Sequence, residues 1–154
     1  RRGTSYNSHN VEEIALAIKN LKDHHKPNKT IIVGHSGGAA IAALILGRHP
    51  GTAKGAILAA CPCDVNKWVQ MGGKRSGKTA LSPHDYVESI EPDVSVIALT
   101  GMQDNNTFPI LAIEYIEKLK NNNINAKFIG VEGETHNGVT RSAQFYDAIN
   151  EIIK

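Results

Sequence analysis

Ser36 lies in the segment Gly34-His35-Ser36-Gly37-Gly38, which fits the G-x-S-x-G pattern of a nucleophilic serine. The pattern alone is weak, because glycine and serine are common residues. Its setting is more specific, since residues 30–33 have the β-branched composition of a buried strand and residues 39–46 are apolar on every face of a helix. A sharp turn between strand and helix holds a serine hydroxyl above the edge of a sheet, where it can attack a carbonyl. The alternative is a serine in a structural or anion-binding turn.

Asp104 and His136 supply the other groups that this chemistry needs. A serine hydroxyl is a poor nucleophile at neutral pH, so a base must accept its proton and a carboxylate must orient that base. Asp104 follows the third predicted strand and His136 follows the fourth, so both are expected at the carboxyl ends of strands. The N–H of Gly37 can donate to a developing oxyanion. An Asx-turn is the alternative role of Asp104, and Asp85 and Asp93 are weaker substitutes because each precedes the strand.

The remaining histidines are weaker candidates for the base. His35 lies inside the serine motif, where packing or a supporting hydrogen bond is favoured over a catalytic role. Five others are predicted to lie on the surface, namely His9, His24, His25, His49 and His84.

Hydrophobic periodicity predicts alternating helices and strands. Asn10 and Glu13 resemble a capping box that begins a helix ending near His25. Thr107 and Ser142 mark the starts of two later helices. Strands are predicted at 30–33, 56–60, 94–99 and 126–131, with a buried helix at 39–46 and a loop with one short helix between 64 and 92. The alternation predicts an α/β fold, a mostly parallel sheet with flanking helices, in a single domain over residues 1–154.

Composition excludes several classes of function. The 17 Lys and Arg against 15 Asp and Glu give a net charge of +2, which indicates no nucleic-acid partner and no anionic membrane surface. No apolar run approaches the roughly 20 residues of a membrane span.

Cys61 and Cys63 flank one proline, where a disulfide would be strained, so two free thiols are expected. No second cysteine pair completes a metal site, and the chemistry of Ser36 needs no cofactor.

Residues 72–79 fit a second motif, the phosphate-binding pattern G-x-x-x-x-G-K-[ST]. Taken literally, this motif predicts a nucleotide-binding protein. A phosphate-binding loop needs a buried strand before it and a helix that begins at its lysine. Only Trp68-Val69-Gln70-Met71 precedes the motif, and Pro83 stands where the helix would run. A loop near the mouth of the site is therefore favoured over nucleotide binding.

Three segments together resemble the α/β-hydrolase superfamily. They are the GHSGG turn between strand and helix, TGMQD after the third strand and GETHNG after the fourth, and they occur in that family's order. The segment 81–87 (LSPHDYV) is similar to the dienelactone-hydrolase and prolyl-oligopeptidase-like branches. The resemblance covers almost the whole chain from about residue 10. It implies Ser36 as nucleophile, His136 as base and then acid, Asp104 as orienting carboxylate and Gly37 as an oxyanion donor.

The N-terminus departs from the pattern of that family. Members usually carry about four more strands before this point, and residues 2–6 resemble the loop after the fourth of them. The loop that normally supplies the second oxyanion N–H is absent, and one such donor is worth on the order of 10² to 10³ in rate. The strand at Ile31 is then an open edge, expected to aggregate unless a missing N-terminal segment or a partner chain covers it. The chain is therefore expected to be the C-terminal part of a longer domain.

These features predict a serine hydrolase that cleaves a carboxylic ester of a small molecule, with a peptidase or thioesterase as close variants. A non-catalytic binding protein of the same fold, or a fragment, is the second hypothesis, and a nucleotide-binding protein is the third. Trp68, Met71 and Tyr86 either line a substrate pocket or anchor the loop around them. The chain begins with Arg1 and has no hydrophobic signal core, which indicates processing or a fragment, and a cytoplasmic location is favoured.

Overall fold

A computed structural model of the chain describes residues 6–74 and 80–154. Within those ranges four strands occur: β1 Ile31–His35, β2 Gly55–Ala59, β3 Ser95–Gly101 and β4 Asn125–Val131. The same ranges hold five α-helices: α1 Ser8–His25, α2 Gly37–Arg48, α3 Val65–Gln70, α4 Pro109–Asn121 and α5 Ala143–Ile152. Two 3₁₀ helices, Pro83–Ser89 and Val139–Arg141, lie in the connections. No helix of the described residues is long and apolar enough to cross a membrane.

The sheet is parallel throughout. β1 pairs with β2, β2 with β3 and β3 with β4, so the order along the sheet is the order along the chain. All four strands therefore end at one edge, where the residues that follow them can approach each other. The ladder continues past two strands, since the N–H of Ser36 donates to Ala59 at 2.8 Å and the N–H of Ala60 donates to Leu99 at 2.8 Å. The predicted α/β fold with a parallel sheet is confirmed.

Alternate side chains of the strands build two apolar layers. On one face of the sheet, Leu58 and Ala98 belong to the same buried cluster as Tyr115 of α4. On the other face, Ile57 lies in a buried cluster with Ile152 of α5. Full burial of one such side chain stabilises the fold by roughly 1.5–3 kcal/mol. These two layers therefore hold the strands in place, and with them the strand ends that the candidate site residues follow.

Helix α2 is buried on nearly every side, as its composition predicts. All residues from 39 to 47 are buried. One side of the helix packs on β1 and β2, and the other lies in a cluster with Val11 and Ala15 of α1. Because α2 begins directly after Ser36, its burial on both sides holds the turn in place.

The starts of three helices test the predicted caps. The cap predicted for α1 is wrong, because Oδ1 of Asn7 accepts the N–H of Asn10 at 2.9 Å and the helix begins three residues earlier. The cap predicted at Thr107 is also wrong, because α4 begins at Pro109, which has no N–H that requires an acceptor. α5 begins next to Ser142, as predicted, and the side chain of Ser142 caps it by accepting the N–H three residues later.

Cys61 and Cys63 form a disulfide, which corrects the expectation of two free thiols. Their Cα atoms lie 5.1 Å apart, a separation within the range that disulfides span. Because only Pro62 separates the two cysteines, the backbone angles of that one residue set the distance between their Cα atoms. Both cysteines are fully buried. The bridge thus closes the turn that leads from β2 towards α3.

β1 is an edge strand, since among the described residues it pairs with β2 alone. Val33 is 48% exposed on it. A groove of about 440 Å³ runs beside this edge and is lined by α1 and β1, including Ile18, Leu21 and Ile31. The open edge predicted at Ile31 is confirmed for the described residues. An exposed apolar edge with unpaired N–H and C=O groups is a template for pairing with another chain.

Replacing Val33 with lysine should reduce self-association of the chain several-fold, because a charge on an edge strand opposes edge-to-edge pairing. Static light scattering over a concentration series would measure it. Leu16→Lys is the matched control, since Leu16 is 58% exposed on α1 and does not line the groove. Equal scattering from Val33→Lys and the unmodified chain, or equal reduction in both variants, would show that the edge is not the site of association.

Candidate active site

Ser36 occupies a strained turn between β1 and α2. Its backbone has φ 55° and ψ −121°, a region that residues other than glycine seldom adopt. Gly34 permits the turn, because a Cβ at that position would lie 2.4 Å from the carbonyl oxygen of Gly38. Gly38 has open space where its own side chain would be. Glycine is therefore required on steric grounds at Gly34 but not at Gly38.

The imidazole of His136 joins Ser36 to Asp104. Nε2 of His136 lies 3.0 Å from Oγ of Ser36, and Nδ1 lies 2.9 Å from Oδ2 of Asp104. An ionised carboxylate can only accept a hydrogen bond, so Nδ1 carries the proton and Nε2 presents its lone pair to the serine hydroxyl. The structure thus brings together the three side chains that the sequence places after β1, β3 and β4.

Asp104 is buried and hydrogen-bonded through both oxygens. Oδ1 accepts the N–H of Asn106 at 2.8 Å and the N–H of Thr107 at 2.9 Å. Oδ2 accepts the Thr107 hydroxyl at 2.7 Å in addition to His136. The Asx-turn and the orienting carboxylate, which are alternatives in the sequence, are one arrangement in the structure. Sequence reasoning missed Thr107, and its one signal was the spacing of three residues after an aspartate, which is typical of such turns.

Two opposing effects set the pKa of Asp104. Burial on its own raises this pKa, because it removes water from the charged form. The hydrogen bonds from His136, Thr107 and Asn106 outweigh burial and lower the pKa from 3.8 to about 2. The carboxylate is therefore ionised at neutral pH and holds the imidazole with its proton on Nδ1.

Gly37 is the first residue of α2 and is buried. The N–H groups in the first turn of a helix have no acceptor within the helix, and the helix dipole adds partial positive charge there. Because Gly37 follows Ser36 directly, its N–H lies at the position from which a donor could meet an oxyanion formed on that serine.

Ser36 lines a cavity of about 370 Å³. Its apolar wall consists of Trp68 on α3, Met71 at the end of α3 and Phe108 before α4. The polar remainder is contributed by residues 72–74, 105 and 106. The cavity therefore offers an apolar wall and a comparable extent of polar surface beside the candidate nucleophile.

Trp68 both lines this cavity and anchors α3. Its Nε1 donates to the carbonyl of Asn106 at 2.6 Å, which ties α3 to the loop that follows Asp104. A second tie lies nearby, where Nζ of Lys67 donates to Glu114 of α4 at 2.6 Å. Both roles considered for Trp68 are thus present together.

Met71 and Tyr86, the other two residues considered with Trp68, have different environments. Met71 lines the cavity and is 38% exposed. Tyr86 lies outside the cavity, with its ring 5.4 Å from the guanidinium carbon of Arg48. Of these two residues, Met71 is therefore the one that can contact a molecule bound at Ser36.

The other histidines differ in how well they fit their predicted surface positions. His9, His24 and His25 are exposed, as predicted, whereas His49 and His84 are partly buried. His35 lies against the loop of His136, with Nε2 at 2.8 Å from the His136 carbonyl oxygen. The centroids of the His35 and His136 rings are 4.9 Å apart.

The weaker acidic candidates lie away from Ser36. Asp93 precedes β3 and contacts Nζ of Lys54 at 2.6 Å, at the opposite edge of the sheet from Asp104. Asp85 is exposed in the 3₁₀ helix Pro83–Ser89. Within residues 6–74 and 80–154, no group of three or more His, Cys, Asp or Glu side chains could hold a metal ion.

The segment before the phosphate-binding motif has the wrong secondary structure for nucleotide binding. Val65–Gln70 forms helix α3, where a phosphate-binding loop requires a strand. Residues 75–79 of the motif, which include its lysine, lie outside the described residues.

Comparison with known proteins gives one family match. A family model described as serine aminopeptidase, S33, matches residues 2–125. The matched span contains Ser36 and Asp104 and ends before His136. No curated protein matches the chain.

Several solved structures share the fold at low sequence identity. An esterase from Pyrococcus furiosus has a TM-score of 0.77 at 16% identity, covering 99% of this chain and 64% of its own. A puromycin hydrolase has a TM-score of 0.68 at 18% identity, covering 82% and 22%. An acylaminoacyl peptidase has a TM-score of 0.73 at 12% identity, covering 91% and 27%. The chain thus spans 22% to 64% of the lengths of these proteins, and the likeness confirms the predicted α/β-hydrolase fold.

The low pKa of Asp104 predicts an acid-sensitive contribution to stability. The folded pKa of about 2 lies below the ordinary 3.8, so the unfolded chain binds the proton first as pH falls. This contribution is present above about pH 4 and is lost towards pH 2, for a total of about 2 kcal/mol in the free energy of unfolding. Urea titrations followed by Trp68 fluorescence at several pH values would measure it.

Asp104→Asn should lack this part of the acid dependence, whereas Asp85→Asn, at an exposed aspartate, should retain it. The same fall in stability between pH 4 and pH 2 in Asp104→Asn as in the unmodified chain would contradict the assignment.

Proposed function

We propose a serine-dependent hydrolysis through an acyl-enzyme for this chain, which belongs to the serine aminopeptidase S33 family. The observation that carries the proposal is the unbroken path of hydrogen bonds from Ser36 through His136 to Asp104, at 3.0 Å and 2.9 Å. Asp104, whose pKa is lowered to about 2, supplies the charged acceptor that the proton on Nδ1 of His136 needs. The roles of the three residues rest on this geometry.

The reaction begins when Oγ of Ser36 attacks the substrate carbonyl and Nε2 of His136 accepts the hydroxyl proton. The negative charge that forms on the carbonyl oxygen receives a hydrogen bond from the N–H of Gly37. Asp104 stabilises the resulting imidazolium through Nδ1. His136 then returns the proton to the leaving group, and a water molecule repeats the sequence to release the acid. These steps balance without a metal ion or an organic cofactor.

An ester is the substrate we propose, with an apolar acyl group bound against Trp68, Met71 and Phe108. The cavity of about 370 Å³ beside Ser36 holds a small or medium acyl group. An alkoxide leaves a tetrahedral intermediate more readily than an amine, so ester cleavage demands less of the oxyanion donors than peptide cleavage does. The named structural neighbours include an esterase and a peptidase, and amide cleavage is the close variant of the proposal.

We also propose that a further extended segment pairs with β1 in the active protein, from a longer chain of which these residues are the C-terminal part or from a partner chain. The exposure of Val33 and the apolar groove along α1 support this proposal. A segment paired with β1 would suppress the self-association through this edge. The comparison of Val33→Lys with Leu16→Lys is designed to detect that self-association. A non-catalytic protein of the same fold, which the open edge would also fit, is distinguished by the reactivity of Ser36.

A fluorophosphonate should form one covalent adduct on Ser36, because the probe reacts with a serine that an adjacent histidine activates. Intact mass followed by peptide mapping would locate the adduct. His136→Ala should slow labelling by orders of magnitude, Ser36→Ala should abolish it, and Ser89→Ala, at an exposed serine, should leave it unchanged. A well-folded chain that takes no label, or takes it elsewhere, would sink the proposal.

Esters should be cleaved faster than the matching amides. For esters with a long acyl group, kcat/KM should also depend on the side chain of Met71. For p-nitrophenyl hexanoate, Met71→Ala should lower kcat/KM by about tenfold through lost apolar contact. The effect on the acetate ester should be small, because its acyl group is too short to fill the cavity.

Met102→Ala is the matched control for this experiment, because Met102 is 41% exposed and lies outside the cavity lining. Equal losses in the two variants, or a chain that cleaves p-nitroanilides as fast as esters, would contradict the proposed substrate.

A further inference from the structure

The loop that carries His136 has a long distance to cover. β4 and β1 are the outer strands of the sheet, with β2 and β3 between them. Neighbouring strands lie about 4.8 Å apart, so a chain that leaves β4 must cross roughly 14 Å to meet Ser36. His136 follows the end of β4 by five residues. Contacts at the far end of this loop are therefore needed, besides the hydrogen bond between Nδ1 of His136 and Asp104, to keep the imidazole directed at Ser36.

The near end of the loop is fastened to β3 and the residues after it. The N–H of Met102 donates to the carbonyl of Val131 at 3.0 Å, and the N–H of Gln103 donates to the carbonyl of Glu134 at 2.9 Å. Both bonds lie before His136 in the chain. They leave the far end of the loop, above β2 and β1, to be held by other groups.

His35 supplies a contact at that far end. It is the last residue of β1, paired in register with Ala59 of β2. Its Nε2 lies 2.8 Å from the carbonyl oxygen of His136, and its ring lies 4.9 Å from the His136 ring at 48°. The same residue thus touches both the main chain and the side chain of His136.

We propose that His35 is a positioning residue for His136. Its Nε2–H clamps the carbonyl oxygen of His136, and its ring braces the imidazole, so that Nε2 of His136 stays directed at Ser36. The effect on turnover rests on the proposed function, whereas the clamp is a property of the folded chain and can be measured without it.

The chemistry of the contact makes the role of the donor testable. A carbonyl oxygen only accepts, so Nε2 of His35 must carry a proton. Glutamine places an amide N–H at nearly the same reach from the backbone, whereas leucine fills a comparable volume without a donor. Asparagine keeps the amide but is shorter by one methylene.

The experiment compares His35→Gln, His35→Leu and His35→Asn with the unmodified chain. His24→Leu is the matched control, because His24 is exposed in the last turn of α1. One readout is the downfield NMR resonance of the proton between Nδ1 of His136 and Asp104. The others are the rate of fluorophosphonate labelling, and kcat and KM for p-nitrophenyl butyrate. Urea unfolding of each variant reports whether it folds.

We expect His35→Gln and His24→Leu to keep the resonance and to label within about threefold of the unmodified chain. His35→Leu should broaden or lose the resonance and lower kcat and the labelling rate by about 10- to 100-fold, as misplacement of a base does, with KM little changed. If His35→Leu fails to fold, His35→Asn replaces it, since its donor falls short of the carbonyl.

Two results would overturn the proposal: an unchanged resonance and rate in both donor-deficient variants, or a His35→Gln variant as impaired as His35→Leu. A resonance missing from the unmodified chain would overturn it as well, since nothing would then be held in place. A chain that keeps the predicted pattern of resonances but never labels would support the clamp and count against the proposed function.

Discussion

The backbone of Ser36 holds a conformation that costs on the order of 1–3 kcal/mol when a residue other than glycine adopts it, and the surrounding structure has to offset that cost. Two features do so. The ladder of the parallel sheet extends past β1 to the N–H of Ser36, and α2 is buried on both sides directly after the turn. The close approach of strand and helix at Gly34 is the local condition for both. The position of the Ser36 hydroxyl beside the cavity thus depends on a core that extends well beyond it.

Burial creates a second constraint at Asp104. A carboxylate removed from water is destabilised unless its oxygens are hydrogen-bonded, and here the following turn supplies donors from Asn106 and Thr107. The hydrogen bond from His136 and those from the turn together keep this carboxylate ionised. The charge in turn sets the tautomer of the imidazole. The same set of hydrogen bonds explains how Asp104 can close a turn and bond the His136 imidazole at the same time.

The sequence predicts the strands, the buried helix and the meeting of Ser36, Asp104 and His136, because those features follow from hydrophobic periodicity and from the common edge of parallel strand ends. It does not predict contacts that depend on local geometry. Thr107 is a residue type that often caps helices, but the helix begins later, at Pro109. The Thr107 hydroxyl donates to Asp104 instead. The cap at Asn7 was missed because Asn10 offers the same side chain three residues later. The short separation of Cys61 and Cys63 along the chain predicts strain in a bridge between them, yet their Cα atoms lie 5.1 Å apart, within the range that disulfides span.

The hydrogen bond from Trp68 to Asn106 has an evolutionary consequence. Trp68 forms part of the cavity wall, and Asn106 donates its N–H to Asp104. A substitution that reshapes this wall to admit a different molecule therefore also perturbs the loop that orients the acid. Changes in selectivity at Trp68 should be epistatic with changes around Asp104, whereas changes at Met71, which lines the same cavity, are not tied to that loop through such a bond. Variation in what the cavity accepts is thus expected to accumulate first on the Met71 side.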